Sequence, residues 1–163
     1  MRPSRDEWAI SLARQTSLRA TCVRRQVGCV LLNARGHVLA TGYNGVASGL
    51  PHCNEAHFQV GQHENGHCFV TRPEYPFACK GADLPSGTGL DSCQAIHAEQ
   101  NALLQCHDVY QIHTAYITTS PCVTCVKLLL NTSCERIVFV EPYPHSESEK
   151  LWVAAGRKWE TWP

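Results

Sequence analysis

The sequence predicts an α/β domain whose sheet is partly parallel and carries helices packed against it. Three observations lead there. The chain of 163 residues suits one domain around one core, since domains commonly run ~100–150 residues. Two short runs of the kind buried in a sheet, residues 115–119 and 136–141, flank a helix-prone stretch. That strand–helix–strand order after residue 97 calls for parallel pairing. The composition, 44% hydrophobic and 17% charged, is that of a globular protein and excludes a disordered chain or a coiled coil.

The elements follow in order. Residues 6–20 hold good helix formers, with Trp8, Leu12, Ala13 and Leu18 at roughly helical spacing. Residues 27–32 and 37–43 are apolar or β-branched around the turn Asn33-Ala34-Arg35-Gly36, which predicts an antiparallel hairpin. Residues 97–105 form a second helix. A third covers 121–131, with Ser120 as N-cap and Pro121 at the first position. Residues 147–155 make a weaker helix and 158–162 a last strand. One domain over 1–163 accounts for all of these, interrupted by an insertion at about 45–96.

Charge and hydropathy exclude further classes. No apolar run approaches the ~18 residues of a membrane span, so no membrane partner is expected. Met1 is followed by Arg2, Pro3 and Arg5 rather than by the apolar stretch of a signal peptide, so a cytoplasmic location is expected. The 14 basic residues balance 14 acidic ones, and no nucleic-acid partner is expected from so neutral a chain. The one local excess is Arg2, Arg5, Arg14, Arg19, Arg24 and Arg25 against Asp6 and Glu7.

The insertion of 52 residues is too long for an ordinary structureless loop. It holds seven of the 11 glycines and four of the 9 prolines, together with Cys53, Cys68, Cys79, Cys93, His52, His57, His63 and His67. A disordered linker has no use for those side chains, whereas a metal-stapled insertion does. The chain has 10 cysteines, and in a reducing compartment that count points to metal or catalysis rather than disulfides. Cys29, Cys106 and Cys134 sit in or beside apolar runs and suit buried free thiols.

Two strings carry chemistry: His97-Ala98-Glu99 and Pro121-Cys122-Val123-Thr124-Cys125. H-x-E followed by P-C-x-x-C matches the known signature of zinc-dependent nucleobase deaminases. Cys122 and Cys125 lie one turn apart at a helix start, so both sulfurs can point at one ion, and the helix N-terminus favours their thiolates. His97 supplies a third ligand, which leaves the fourth tetrahedral position for water. Zinc lowers the pKa of that water to ~7, and the hydroxide so formed attacks C4 of the base. Glu99, not needed as a ligand, can then take and return protons. The competing reading is half of a structural zinc site beside a solvated glutamate.

Beyond these motifs the chain resembles the deoxycytidylate (dCMP) deaminases of phage and bacterial type, within the cytidine deaminase superfamily. The likeness runs through Thr21-Cys22, Gln26-Val27-Gly28, Thr41-Gly42-Tyr43-Asn44-Gly45, Ser48-Gly49-Leu50-Pro51-His52-Cys53 and Pro85-Ser86-Gly87-Thr88. It continues through Cys93, Ile96-His97-Ala98-Glu99-Gln100-Asn101-Ala102-Leu103 and Thr119-Ser120-Pro121-Cys122. The resemblance implies a three-layer α/β/α sandwich on a five-stranded mixed sheet, usually assembled as a hexamer. It implies hydrolysis of dCMP to dUMP and ammonia, feeding thymidylate synthesis, with dCTP activating, dTTP inhibiting and magnesium accompanying the triphosphate.

Residue by residue, the resemblance makes His97, Cys122 and Cys125 the catalytic zinc ligands and Glu99 the proton shuttle. Asn44 matches the asparagine that contacts the sugar, and the backbone of Ala98 the amide that holds the pyrimidine carbonyl. Ser120 and Tyr143 are candidates for the 5′-phosphate, although Tyr143 equally suits a turn between Pro142 and Pro144. Cys22 and Cys53 match ligands of a second, structural zinc, with Cys93 well placed to join them. Cys79 is the choice for the fourth ligand, ahead of Cys68, His67 and His63. Ala95 occupies the position where some members carry a carboxylate ligand, so that version of the site is absent. The alternative is that these cysteines are unrelated buried thiols. Arg24 and Arg25 could face a triphosphate effector or be solvated surface charge. Two other functions compete with dCMP deamination: a polynucleotide deaminase on the same zinc core, and a zinc-stapled binding module without catalysis. Retention of Glu99 weighs against the second, neutral charge against the first.

Overall fold

The computed structural model describes residues 1–53, 55, 59–62, 64–66, 68–71, 81, 84–89, 92–143 and 146–163. The chain divides into two compact units. One comprises Met1–Ala20, Gln26–Asn44 and Ile96–Pro163, the other Thr21–Arg25 and Gly45–Ala95.

The first unit is built on five strands: β1 (Gly28–Leu32), β2 (Val38–Tyr43), β3 (Thr114–Thr119), β4 (Arg136–Glu141) and β5 (Lys158–Thr161). Their order across the sheet is β2-β1-β3-β4-β5. β1 runs antiparallel to both neighbours, with Gly28 opposite Tyr43 and Cys29 opposite Ile117. β3, β4 and β5 are mutually parallel, with Thr114 opposite Arg136 and Arg136 opposite Lys158. Parallel neighbours need a crossover, and α3 (Val123–Leu130) and α4 (Ser146–Ala154) supply the two.

Side-chain alternation along the strands separates two cores. Cys29, Leu31, Ile117, Ile137 and Phe139 face α2 (Ala98–Gln105), α3 and α4, packing with Ala98, Ala102, Val126, Leu129 and Trp152. Val30, Leu32, Tyr116 and Val138 face the other way onto Ala9, Ile10 and Ala13 of α1 (Arg5–Ser17). The five-stranded mixed sheet between helical layers is therefore the three-layer sandwich the resemblance implied. β1 lies within it, and all five of its residues are buried. Cys29 and Cys134 belong to this core, with Cys106 at its edge, as expected of structural thiols. Burial pushes the thiols of Cys29 and Cys134 up, the latter to about 11, so both stay protonated and inert.

Two glycines set how closely helices approach the sheet. A Cβ on Gly28 would lie 2.0 Å from the Ala13 carbonyl oxygen of α1, and one on Gly42 2.2 Å from the Ala98 carbonyl oxygen of α2. Polar groups fasten the helices further. The Arg136 guanidinium grips Asp6 of α1 through two bonds of 2.8 and 2.7 Å and donates to Glu160 at 2.7 Å, while the Tyr116 hydroxyl donates to Asp6 at 2.6 Å. Arg157 closes the C-terminal end of α3, donating to the carbonyls of Leu129, Leu130 and Cys134. No helix among the described residues is long and apolar enough to cross a membrane.

The second unit holds an antiparallel pair, Gln59–Gln62 with Cys68–Thr71, which the sequence pattern did not suggest. Here Arg24 Nη1 donates to the carbonyls of Thr88, Pro85 and Leu84 at 2.8, 3.2 and 3.5 Å.

Candidate metal centre and active site

Two helix starts bring the ligand-type side chains together. α3 begins at Val123 with Cys122 as its extended N-cap, at φ −71° and ψ 168°. This corrects the expectation of Ser120 as cap and Pro121 as first residue. The Ser120 hydroxyl instead accepts the Tyr143 N–H at 2.6 Å, and the helix starts two residues later. At the N-cap, the Cys122 side chain turns back toward the first turn, on the side where Cys125 emerges. α2 opens in the same way on His97, whose N–H donates to the Gln100 side chain at 2.9 Å. That fixes the residue half in and half out of the helix, with its ring at the mouth.

His97 Nδ1 lies 3.4 Å from Cys122 Sγ and 3.5 Å from Cys125 Sγ. Among the described residues these three form the one group whose ligand atoms all lie within 4.8 Å of one another. The set fits zinc. Tetrahedral bonds of ~2.3 Å to sulfur and ~2.0–2.1 Å to nitrogen set nitrogen-to-sulfur edges of about 3.5–3.6 Å. The Cys125 thiol donates to Cys122, which, helped by His97, draws Cys122 well below its ordinary value, while the same contact and burial push Cys125 well above its own.

Glu99 is 4% exposed, on the first turn of α2 and against the Cys125 thiol. Desolvation dominates its environment and lifts the carboxyl to about 7. A buried carboxylate of this kind, beside three ligands and not needed to complete them, has the pKa of a proton carrier. Ala98 beside it is fully buried.

The end of β2 borders the same helix turn, because Gly42 lets the strand touch the Ala98 carbonyl. Asn44 follows two residues later and is 8% exposed. Its Oδ1 accepts the Val27 N–H at 2.8 Å, while its own N–H donates to the Val27 carbonyl at 3.2 Å. The side-chain oxygen thus stands in for the main-chain carbonyl in the last rung of the β1–β2 ladder.

Of the sequence-predicted residues, His97, Ala98, Glu99, Cys122 and Cys125 come together, with Ser120 and Tyr143 joined to each other. Cys22, Cys53, Cys93, Arg24 and Arg25 belong to the other unit. Cys79, His63 and His67 lie outside the described residues, and for Cys68 only the backbone is described. Sequence reasoning missed two contributors: Gly42, and Asn101, which donates to the Tyr43 carbonyl at 2.8 Å. A glycine inside an apolar strand is the one signal that was on offer, since it often marks a close backbone approach.

Comparison with known proteins bears on the same span. Residues 3–141 match the family model of the cytidine and deoxycytidylate deaminase zinc-binding region. The deoxycytidylate deaminase of Saccharomyces cerevisiae is 35% identical over 159 residues, covering 96% of this chain and 44% of its own length. That of Mycobacterium phage D29 is 32% identical over 139 residues, covering 85% of this chain and 95% of its own. The chain thus spans under half of the Saccharomyces cerevisiae relative, and 43% of the deoxycytidylate deaminase of Schizosaccharomyces pombe. A crystal structure of the dCMP deaminase from cyanophage S-TIM5 in complex with dCMP and dUMP shares the fold at a TM-score of 0.67 and 23% identity, covering 98% of each chain. The matched span contains the His97, Cys122 and Cys125 cluster with Glu99 buried against it, and the chain belongs to the cytidine and deoxycytidylate deaminase family.

Proposed function

We propose that this chain hydrolyses dCMP to dUMP and ammonia, supplying dUMP for thymidylate synthesis. The observation that carries the reading is Glu99: a buried carboxylate with a raised pKa, beside a complete three-ligand set. A purely structural zinc site gains nothing from such a group, because a buried charge is costly unless used. Relatives of 35% and 32% identity named deoxycytidylate deaminase favour the nucleotide substrate.

His97, Cys122 and Cys125 would hold the zinc, which when bound acts as a Lewis acid that makes water nucleophilic near neutral pH. The protein's own groups do the rest. Glu99 takes the water proton on its carboxylate and passes protons to the pyrimidine ring nitrogen and to the departing amine. The Ala98 N–H at the helix start holds the pyrimidine carbonyl, where the helix dipole adds to the donor. Asn44 donates through Nδ2 to the sugar. Ser120 keeps its own hydroxyl proton for the 5′-phosphate while accepting the Tyr143 N–H, which holds the Tyr143 loop over the same group.

The reading extends to the second unit. A structural zinc on Cys22, Cys53 and Cys93 with Cys79 rests on the family resemblance and on the grouping of Thr21–Arg25 with the insertion in one compact unit; the three described thiols do not lie within 4.8 Å of one another, so binding would have to draw them together. The enzyme assembles as a homo-oligomer, a hexamer on the family resemblance. It answers to dCTP and dTTP with magnesium, Arg25 facing the triphosphate while Arg24 is committed in part to loop carbonyls. The free thiols among the described cysteines suit the reducing cytoplasm.

One experiment tests the function. The purified protein is incubated with dCMP, cytidine, dCTP and single-stranded DNA, with and without a chelator, and ammonia is measured. Release from dCMP alone, abolished by the chelator, is the expected result. Release from DNA establishes a polynucleotide deaminase, and none from any substrate establishes a binding module. Saturation curves for dCMP with added dCTP or dTTP test the regulation.

A further inference from the structure

We propose that Asn101 is a positioning residue for Asn44, and through it for the sugar end of the substrate. The inference rests on the dCMP reading above. Asn101 lies in α2, the helix that also carries His97 and Glu99, and its backbone N–H closes the first helical bond to the His97 carbonyl at 3.0 Å. It stands one turn from His97 on the same side of the helix. Asparagine is a poor helix former because its amide competes for the backbone. Here the amide reaches across: Nδ2 donates to the Tyr43 carbonyl at 2.8 Å, at the last residue of β2.

β2 is an edge strand, so it has a neighbouring strand on one side only. Beyond Tyr43 the regular ladder ends, and Asn44 is held by the Val27 N–H and carbonyl. Two anchors therefore fix the peptide between Tyr43 and Asn44. Val27 holds it from the β1 side, and Asn101 holds it from the helix that bears the ligand and the proton carrier. Gly42 brings strand and helix close enough for that second bond. The spacing between the group that moves the proton and the group that grips the sugar is set by one short helix turn and one side-chain amide.

Steady-state kinetics on dCMP test this. Asn101→Asp is isosteric and removes the donor, and Asn101→Ala removes the side chain. Each should raise KM about tenfold, the worth of one well-made hydrogen bond, with kcat within about twofold and zinc content unchanged. The decisive measurement is a double-mutant cycle with Asn44→Asp, which keeps an oxygen for the Val27 N–H but loses the donor toward the sugar. Asn101→Ala should cost little more in that background, because it acts through Asn44. Additive losses in kcat/KM, a fall in kcat at constant KM, or loss of zinc each overturn the proposal. If Asn101→Ala fails to fold, the same cycle run with Asn101→Asp decides between coupled and additive losses. A wild type without dCMP turnover overturns the parent reading and this one with it, whereas an active wild type with additive losses overturns this one alone.

Discussion

Replacing Gly42 with alanine tests whether the approach of helix to strand sets the chemistry. The new Cβ would lie 2.2 Å from the Ala98 carbonyl oxygen and 2.4 Å from the Ala102 nitrogen, both main-chain atoms that no rotamer change can move away. Reaching an ordinary 3.4 Å contact needs about 1.2 Å of separation between β2 and α2. Overpacking of this kind costs about 1–3 kcal/mol, offset by up to ~1 kcal/mol from the stiffer unfolded chain. The net loss, at most about 3 kcal/mol, should lower Tm by up to roughly 12 °C in a chain of this size. A 1 Å displacement of positioned groups can cost ~100-fold in rate, and α2 carries both His97 and Glu99. Gly28→Ala is the control: its Cβ would meet Ala13 and Ser17 of α1, which bears no site residue. Thermal melts and kcat/KM of zinc-loaded protein should show both variants destabilised, with the activity of the folded enzyme falling ~100-fold only for Gly42→Ala. Equal activity losses, or a Gly42→Ala enzyme with wild-type activity, would refute the reasoning.

Glu99→Gln should keep zinc and fold but lose ~100–10,000-fold in turnover, since glutamine cannot carry the proton; normal turnover at normal zinc content removes Glu99 from that role. Stability should fall in acid in proportion to the Asp6–Arg136 bond. Arg136 holds the Asp6 carboxyl below its ordinary range, so the contribution is complete above the unfolded value of ~3.9 and is lost as the pH drops through the lower folded value. Asp6→Asn should flatten that part of the pH–stability curve, and an unchanged curve counts against the bond. Metal analysis should give two zinc ions per chain, falling to one in Cys53→Ser with a lower Tm; one ion in the wild type and an unaltered variant would leave the insertion without a metal.

The layers of the sandwich were readable because they follow from patterns that repeat along the chain: alternation in the strands, a hairpin turn, and strand–helix–strand order after residue 97. The metal cluster was readable because its residues sit at fixed short intervals from two helix starts. What escaped the sequence depends on contacts between distant segments. Ser120 has the chemistry of an N-cap, but Tyr143 takes its hydroxyl, and Cys122 caps instead. Arg24 read as either a triphosphate contact or solvated charge, and its Nη1 also reaches three carbonyls some sixty residues away, which no local pattern shows. The pair Gln59–Gln62 and Cys68–Thr71 has Val60, Phe69, Val70 and Thr71, but each strand is only four residues long and Gly61 interrupts the first, too short a run to show alternation.

The Asp6–Arg136 clamp has a consequence for biosynthesis. Its two halves are separated by 130 positions. A ribosome adding ~5–20 residues per second needs roughly 7–26 s to pass from one to the other. Over that interval α1 has its own capping box and can lie on Val30 and Leu32 of β1, but it lacks the Tyr116 and Val138 part of its seat and its ionic partner. The first helix made is thus among the last to complete its seat. Stalled nascent chains released short of Arg136 should leave α1 open to protease, and chains carrying β4 should protect it.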